Sequence, residues 1–209
     1  MRGFLAGLVV LLTSCTLGAT TTSHVAPANA KGVVLQAGDI PDVKKCPQSD
    51  SWAALMLQGE LEMLPTGFAT WSDLKAAGAT EGWLSLYADS EPECPLLLGN
   101  APPTGRLVYT AVIEFKSPSK AAASFTSGSQ MFPVAPDFAD RFAAAGGVVT
   151  KGASTGIGMN SAVATITTRG VLTYVAFWQN QSFDAVVYAD NLSASEATTA
   201  VNRMNFRIH

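Results

Sequence analysis

Apolar and polar residues alternate with period two along several stretches of the chain, and this pattern predicts strands. The clearest stretch is RLVYTAVIEFK (106–116), where every odd position from 107 to 115 is apolar while Thr110, Glu114 and Lys116 are polar. Further strands are predicted at EGWLSLYAD (81–89), GVVTK (147–151), MNSAVATITT (159–168), VLTYVAFWQ (171–179) and SFDAVVYA (182–189). Arg169-Gly170 and Asn180-Gln181 lie between the last three strands, at positions typical of tight turns.

Helical spacing and capping residues predict helices between and after these strands. The predicted helices are DSWAALMLQGELEML (50–64) with Asp50 or Ser51 as N-cap, DLKAAGA (73–79) capped by Ser72 and ended by Gly78, PSKAAASFTS (118–127) after Ser117, PDFADRFAAAGG (136–147) ended by Gly146, and a last helix from the Ser193–Glu196 capping box to about Met204. This element order predicts an α+β fold in which helices pack on one face of an antiparallel sheet.

The first residues, MRGFLAGLVVLLTSC, read as an export signal. Arg2 supplies a positive charge, and the apolar run 4–12 is too short to span a bilayer but has the length of a signal-peptide core. Residues 16–32 are small and polar without apolar periodicity, as in a flexible tether. We therefore expect a leader at 1–14, a modified N-terminus and tether at 15–32, and a single α+β domain at 33–209.

The residues Leu12-Thr13-Ser14-Cys15 resemble the lipobox of bacterial lipoproteins. The resemblance implies that Cys15 carries a diacylglycerol thioether, with further acyl chains such as palmitate, and becomes the first residue of the mature chain. Several acyl chains would hold the protein to the cell membrane, facing outside the cytoplasm. The alternative is an ordinary leader cleaved after Ala28-Asn29-Ala30, an A-x-A pattern.

Composition supports one folded domain and excludes some partners. Hydrophobic residues make up 48% of the chain and charged residues 14%, which is ample for a core. The formal net charge of −3 argues against a nucleic-acid surface and against a patch for anionic membranes.

With Cys15 assigned to lipid, Cys46 and Cys94 remain, and an exported chain would join them in a disulfide. Such a bond would contribute about 3–4 kcal/mol by the chain-entropy estimate. A metal site would need more ligands than two thiols, and a redox pair is more often C-x-x-C. We expect neither a metal nor a cofactor.

The sequence offers little catalytic chemistry. His24 lies in the tether and His209 is the last residue, so histidine-based catalysts lack a well-placed base. KGASTGIGMNS (151–161) suggests a phosphate loop, but no helix is predicted after it, so a turn is favoured. ADSEPEC (88–94) could hold calcium but fits a solvated acidic loop better. Glu60 and Glu62 could form an acid–base pair, although their spacing on a helix separates them.

The tryptophans are the remaining candidates for ligand contact, because exposed indoles line sugar and lipid sites although most pack in cores. Trp178 stands beside the Asn180-Gln181 turn and is expected to reach the surface. Of Trp52, Trp71, Trp83 and Trp178, we name Trp178 and Trp83 as the predicted ligand-binding residues.

The rest of the chain also resembles bacterial surface lipoproteins. The pieces that carry this likeness are GDIPDVKKCP (38–47), WSDLKAAGA (71–79), Cys94, VIEFKSPSKAAASF (112–125), AFWQ (176–179), NLSASEA (191–197) and MNFRI (204–208). The resemblance implies a cell-envelope location and carries over no active-site residue. Our first hypothesis is non-catalytic binding of a small or apolar ligand or of an envelope protein. The alternatives are a hydrolase of envelope glycans that uses carboxylates alone, and a structural or assembly protein.

Overall fold

The strands form one antiparallel sheet. The computed structural model describes residues 28–58, 70–98, 102–127 and 142–208. Within these ranges the strands are β1 Lys44–Lys45, β2 Ala79–Ala88, β3 Leu107–Phe115, β4 Val148–Lys151, β5 Ser161–Thr168, β6 Val171–Asn180 and β7 Phe183–Asp190. They are ordered β1-β2-β3-β7-β6-β5-β4, and every neighbouring pair is antiparallel. The predicted α+β class with an antiparallel sheet is confirmed.

The helices of the described ranges are α1 Ala30–Val33, α2 Ser49–Gln58, α3 Trp71–Ala77, α4 Pro118–Ser127 and α5 Ala194–Phe206, with 3₁₀ helices at Glu91–Leu98 and Gly152–Thr155. The predicted capping box of α5 is confirmed, since Glu196 N–H donates to the Ser193 hydroxyl. The helix predicted at 136–147 lies largely outside the described residues, although residues 142–144 are helical.

The cap predicted for α3 was wrong. Thr70, rather than Ser72, accepts a hydrogen bond from Asp73 N–H, and the Asp73 carboxylate accepts one from Thr70 N–H in return. The helix therefore begins at Trp71, two residues earlier than a cap at Ser72 allows. Its end at Gly78 is as predicted, because Gly78 has φ 108°, a left-handed conformation that favours glycine.

Helices cover both faces of the sheet, whereas the pattern predicted them on one. On the face that we call the α5 face, α1 and α5 pack on residues such as Val112 and Trp178. On the opposite face, the α4 face, α2, α3 and α4 pack on residues such as Ile113 and Phe177. Most strand positions are thus buried whichever way they point, including Thr110, which the alternation placed among polar positions.

The folded part begins before the expected boundary at residue 33. Ala30 and Val33 of α1 are buried on the α5 face. The Thr110 hydroxyl accepts a hydrogen bond from Leu35 N–H, while the Ser85 and Tyr87 hydroxyls donate to the Leu35 carbonyl. This buried polar group holds the N-terminal segment against the sheet, because each of its members has a partner.

Different strands begin and finish at the two ends of the sheet. At the Glu81 end, β2, β5 and β7 begin and β3, β4 and β6 finish. At the opposite end, which we call the Arg106 end, β3 and β6 begin. Helix α5 starts at the Arg106 end and finishes at the Glu81 end, where Asn205 accepts a hydrogen bond from Asn180.

Candidate functional site

Strand register places two rows of side chains on the α5 face at the Glu81 end. The first row runs across β2, β3, β7 and β6 as Glu81, Glu114, Phe183 and Asn180. The second row runs across the same strands as Trp83, Val112, Ala185 and Trp178. Both predicted ligand-binding tryptophans therefore lie in one row of one face, about 14 Å apart at the usual strand spacing.

Glu81 and Glu114 form a carboxyl pair in the first row. They are opposite each other in the β2–β3 register, so their side chains lie side by side on the α5 face. Desolvation raises the pKa of Glu114, and the neighbouring carboxyl of Glu81 raises it further. The pair therefore places an acid of raised pKa beside a second carboxyl.

The N-terminal segment contributes to this pair and to the neighbouring tryptophan. Ala30 N–H donates to Glu81 Oε2 at 3.3 Å. Lys31 Nζ lies 4.8 Å from the ring centroid of Trp83, a cation–π distance, while Trp83 itself is half-buried. A half-buried indole, an exposed ammonium and a pair of carboxyls thus meet at the Glu81 end of the sheet.

Trp178 does not reach the surface as we expected. It is 1% exposed and lies in the core of the α5 face, because β6 is an interior strand and α5 packs over it. The nearby turn misled the sequence argument, since the helix that covers the strand is distant in sequence. Its Nε1–H is buried and finds no acceptor in the described structure.

The predicted Cys46–Cys94 disulfide is present. The two sulfurs are 1.99 Å apart, the Cα atoms are 5.8 Å apart, and both residues are buried. The bond joins the residue after β1 to the 3₁₀ helix Glu91–Leu98. It fixes β1 and α2 to the Arg106 end of the sheet.

The acidic segment 88–94 is structural rather than merely solvated. The Glu93 carboxylate is buried and accepts hydrogen bonds from Thr104 N–H and Oγ1–H and from Gly105 N–H. Asp89 accepts from Arg106 N–H and from its guanidinium. Within the described ranges, no three His, Cys, Asp or Glu side chains gather as metal ligands.

Arg106 joins three elements at its end of the sheet. It pairs with Asp89 at 2.7 Å and with Glu196 of α5 at 2.8 Å. Desolvation alone would raise the pKa of Asp89, but hydrogen bonds and the charge of Arg106 lower it below its usual value. Hydrogen bonds from Ser193 lower the pKa of Glu196 despite its desolvation, and Arg106 lowers it further.

The α4 face holds two more carboxyls, Asp184 and Asp190, which lie on the other side of the sheet from the Glu81–Glu114 pair. Asp184 is desolvated, which raises its pKa to about 8, and a hydrogen bond with Ser124 offsets only part of that rise. Asp190 is also desolvated and has a raised pKa, although it accepts from Thr173 and Tyr188. These two groups lie near opposite ends of β7 and form no common site.

Hydrogen bonds of its own hydroxyl groups hold the glycine-rich loop 151–161 together. Thr155 Oγ1 accepts from Ile157 N–H and lies 2.6 Å from the Ser161 hydroxyl. Strand β5 follows it, as predicted. Several predicted residues lie outside the described ranges: Cys15, His24, Glu60, Glu62 and His209.

Sequence reasoning missed the Glu81–Glu114 pair. Both residues stand at polar positions of predicted strands, which is the signal available. Which residues of β2 and β3 pair depends on the connection between the two strands, and the length of that connection does not give the register. Trp83 was named as a candidate because it is one of few indoles, not because its neighbours were known.

Comparisons with known proteins give no family. No protein-family model matches the chain, and no curated protein matches it. A solved structure, the extracellular domain of PknH from Mycobacterium tuberculosis, is similar with a TM-score of 0.40 and 11% identity, over 87% of this chain and 97% of that one. A likeness this distant indicates neither a shared ligand nor a shared activity. No helix in the described part of the chain is long and apolar enough to cross a bilayer.

Proposed function

We propose that this chain is a lipoprotein of the cell envelope whose folded domain binds a small amphipathic ligand outside the cytoplasm. The observation that carries the binding role is the Glu81–Glu114 pair beside the half-buried ring of Trp83. An apolar surface with a few converging polar groups and a perturbed acid is the usual composition of a ligand site.

The disulfide supports the location. Cys46 and Cys94 are joined and buried, and such bonds persist in oxidising compartments but are rare in the cytosol. Together with the leader-like N-terminus, this favours export of the domain. Attachment through a lipid on Cys15 is the further step that we propose.

The packing of α1 favours processing at Cys15 over cleavage after Ala30. The Asn29 side chain caps α1 by accepting from Gly32 N–H at 2.8 Å, and Ala30 is buried. Cleavage after Ala30 would remove both residues from the fold. Loss of such a cap typically costs about 1 kcal/mol. A cut before Cys15 leaves these contacts intact.

The ligand that fits has an apolar part and a hydrogen-bond donor that the two carboxyls can accept from. The apolar part would pack on Trp83, where the Lys31 side chain now lies. An ammonium or hydroxyl group would donate to the Glu81–Glu114 pair.

Binding is favoured over hydrolysis by the arrangement of the pair. Glycosidase carboxyls flank the scissile bond and are about 5–10 Å apart, which leaves room for a sugar atom or a water between them. Glu81 and Glu114 instead project side by side from adjacent strands on one face, so they do not flank a bond from two sides. The proposed role of these acids is therefore to hold a ligand group.

The test is native mass spectrometry of the mature chain purified gently from its own envelope. We expect a bound small molecule that is lost from Trp83→Leu and weakened at least about tenfold in Glu114→Gln, which removes a hydrogen-bonded charge. Trp71→Leu is the matched control, because Trp71 packs on the α4 face. Equal ligand occupancy in all three variants, each with an intact thermal transition, would refute the site.

A further inference from the structure

The charged residues of the sheet are distributed unevenly between its ends. Four exposed lysines lie around the Glu81 end: Lys31, Lys116, Lys120 and Lys151. Lys116 follows β3, Lys151 finishes β4, and the Lys120 stem lies against Gly78 just before β2. In the described structure no carboxylate lies within ion-pair distance of any of these four ammonium groups.

Two of the most exposed large apolar side chains lie at the same end. Phe206 is 86% exposed at the finish of α5, next to Asn205, which bonds Asn180. Met159 is 77% exposed, next to Asn160, which donates to Gln179 of β6 at 2.7 Å. These hydrogen bonds place both side chains at the Glu81 end.

The N-terminal segment enters the fold at this end as well. Ala30 bonds Glu81, and twelve residues lie between Cys15 and Ala28. The flexible tether expected from the sequence would span about 20 Å on average. The strands of eight to ten residues are about 30 Å long, so the Arg106 end lies a full strand length further away.

We propose that the Glu81 end is a membrane-docking surface, on which four lysines and the side chains of Met159 and Phe206 contact a bilayer with anionic headgroups. The inference rests on the proposed acylation of Cys15, which would hold this end near the lipid. The occupant is argued from charge complementarity and from where the tether meets the fold. The net charge of −3 suggested the opposite, because a sum over the whole chain does not say where the charges lie.

Headgroup attraction and apolar insertion add to each other in this arrangement. Ammonium groups within a Debye length of an anionic surface are attracted to it, by about fivefold in occupancy for each lysine. Phe206 and Met159 would then enter the boundary between headgroups and acyl chains. The domain would then be oriented with the Arg106 end outward.

The test uses the full acylated chain in vesicles containing about one quarter phosphatidylglycerol, a leaflet charge that attracts lysines. A photo-crosslinking phenylalanine replaces Phe206, or Met159, or the exposed control Thr168 at the Arg106 end. The acyl anchor gives all three variants the same membrane occupancy, so adduct yields report orientation. We expect at least about fivefold more lipid adduct at 206 and 159 than at 168.

A second variant separates charge from geometry. Lys31→Gln, Lys116→Gln, Lys120→Gln and Lys151→Gln together should abolish the excess adduct at 206 in anionic vesicles. All four side chains are exposed, so the fold is expected to persist. Equal yields at 206 and 168, unchanged yields in the glutamine variant, or crosslinks to protein in place of lipid would overturn the surface.

Failure of the anchor is distinguished by measuring the mass of the N-terminal peptide in the same preparation. If Cys15 is unmodified, the anchoring part of the proposed function fails. The surface is then tested by flotation of the unmodified chain with the same anionic vesicles. Flotation that the four glutamine substitutions abolish would sustain the surface, and absence of flotation would reject it.

Discussion

The carboxyl groups at the two ends of the sheet have opposite kinds of neighbour. At the Arg106 end, the carboxylates of Asp89 and Glu196 meet a guanidinium, and their pKa values are lowered. At the Glu81 end, Glu114 is partly desolvated and lies beside another carboxyl, and its pKa is raised. One end is built from satisfied ion pairs, whereas the other places two carboxyls side by side without a cation between them.

This difference gives the two ends opposite dependence on pH. Carboxyls with lowered folded pKa values stabilise the fold above their unfolded pKa, and that contribution is lost as pH falls. Carboxyls with raised folded pKa values destabilise the fold when they ionise, so stability is lost as pH rises. Asp190 is the exception near the Arg106 end, since its burial on the α4 face raises its pKa.

The largest expected effect concerns the disulfide that fastens the Arg106 end. Cys46→Ala with Cys94→Ala should lower the free energy of unfolding by about 3–4 kcal/mol, because the bond closes a loop with a sequence separation of 48. Denaturant unfolding of the variant and of the chemically reduced chain measures this, and the two should agree. A loss under about 1 kcal/mol in both would show that the end holds without the bond.

Asp184 should determine how much stability the fold loses as the pH rises. Burial raises its pKa to about 8, so its ionisation destabilises the fold progressively from about pH 4 up to that value. After allowance for its partial exposure, Asp184→Asn should remove a pH-dependent loss on the order of 2 kcal/mol. Thermal unfolding from acid to mildly alkaline pH tests this, and identical slopes for both chains would contradict it.

Arg106 should control the acid limb. Arg106→Gln leaves Asp89 and Glu196 without their cation, and we expect a loss of about 1–2 kcal/mol near neutral pH that shrinks on acidification. Lys45→Gln is the matched control, because the Lys45–Asp50 pair is exposed and should contribute under about 0.5 kcal/mol. Equal losses in the two variants would remove the special role of Arg106.

The smallest effect is expected at the candidate site itself. Glu114→Gln can still donate to Glu81 but no longer ionises, so stability near neutral pH should rise by about 0.5 kcal/mol. The same variant should bind the proposed ligand less well. Gain of stability with loss of binding is the combination typical of functional groups held in an unfavourable state, and a stability loss would argue for a structural role.

The sequence predicted much of the local structure and little of what brings residues together. The strand over 107–115, the end of α3 at Gly78 and the Ser193 cap follow from short-range patterns. Burial of Trp178 does not, because α5 is separated from β6 by a whole strand and its covering face depends on chain topology. Helices on both faces were missed for the same reason.

The candidate site follows this division. Trp83 could be named as one of the few tryptophans, and the Cys46–Cys94 pair as the two cysteines that remain once Cys15 is assigned to lipid. The Glu81–Glu114 pair and the lysine cluster depend on register and on which ends of strands coincide, quantities that the alternation pattern leaves open. Net charge argued against a patch for anionic membranes, but it carries no information about where along the fold the charges lie.

Hydrogen exchange of the acylated chain in its native membrane, compared with the same chain in detergent, tests the contrast between the ends most directly. We predict added protection in peptides containing Lys31, Glu114 to Lys120, Met159 and Phe206, with Asp89, Arg106 and Arg169 unchanged. Protection confined to the Arg106 end, or none at either end, would contradict the assignment of binding and docking to the Glu81 end.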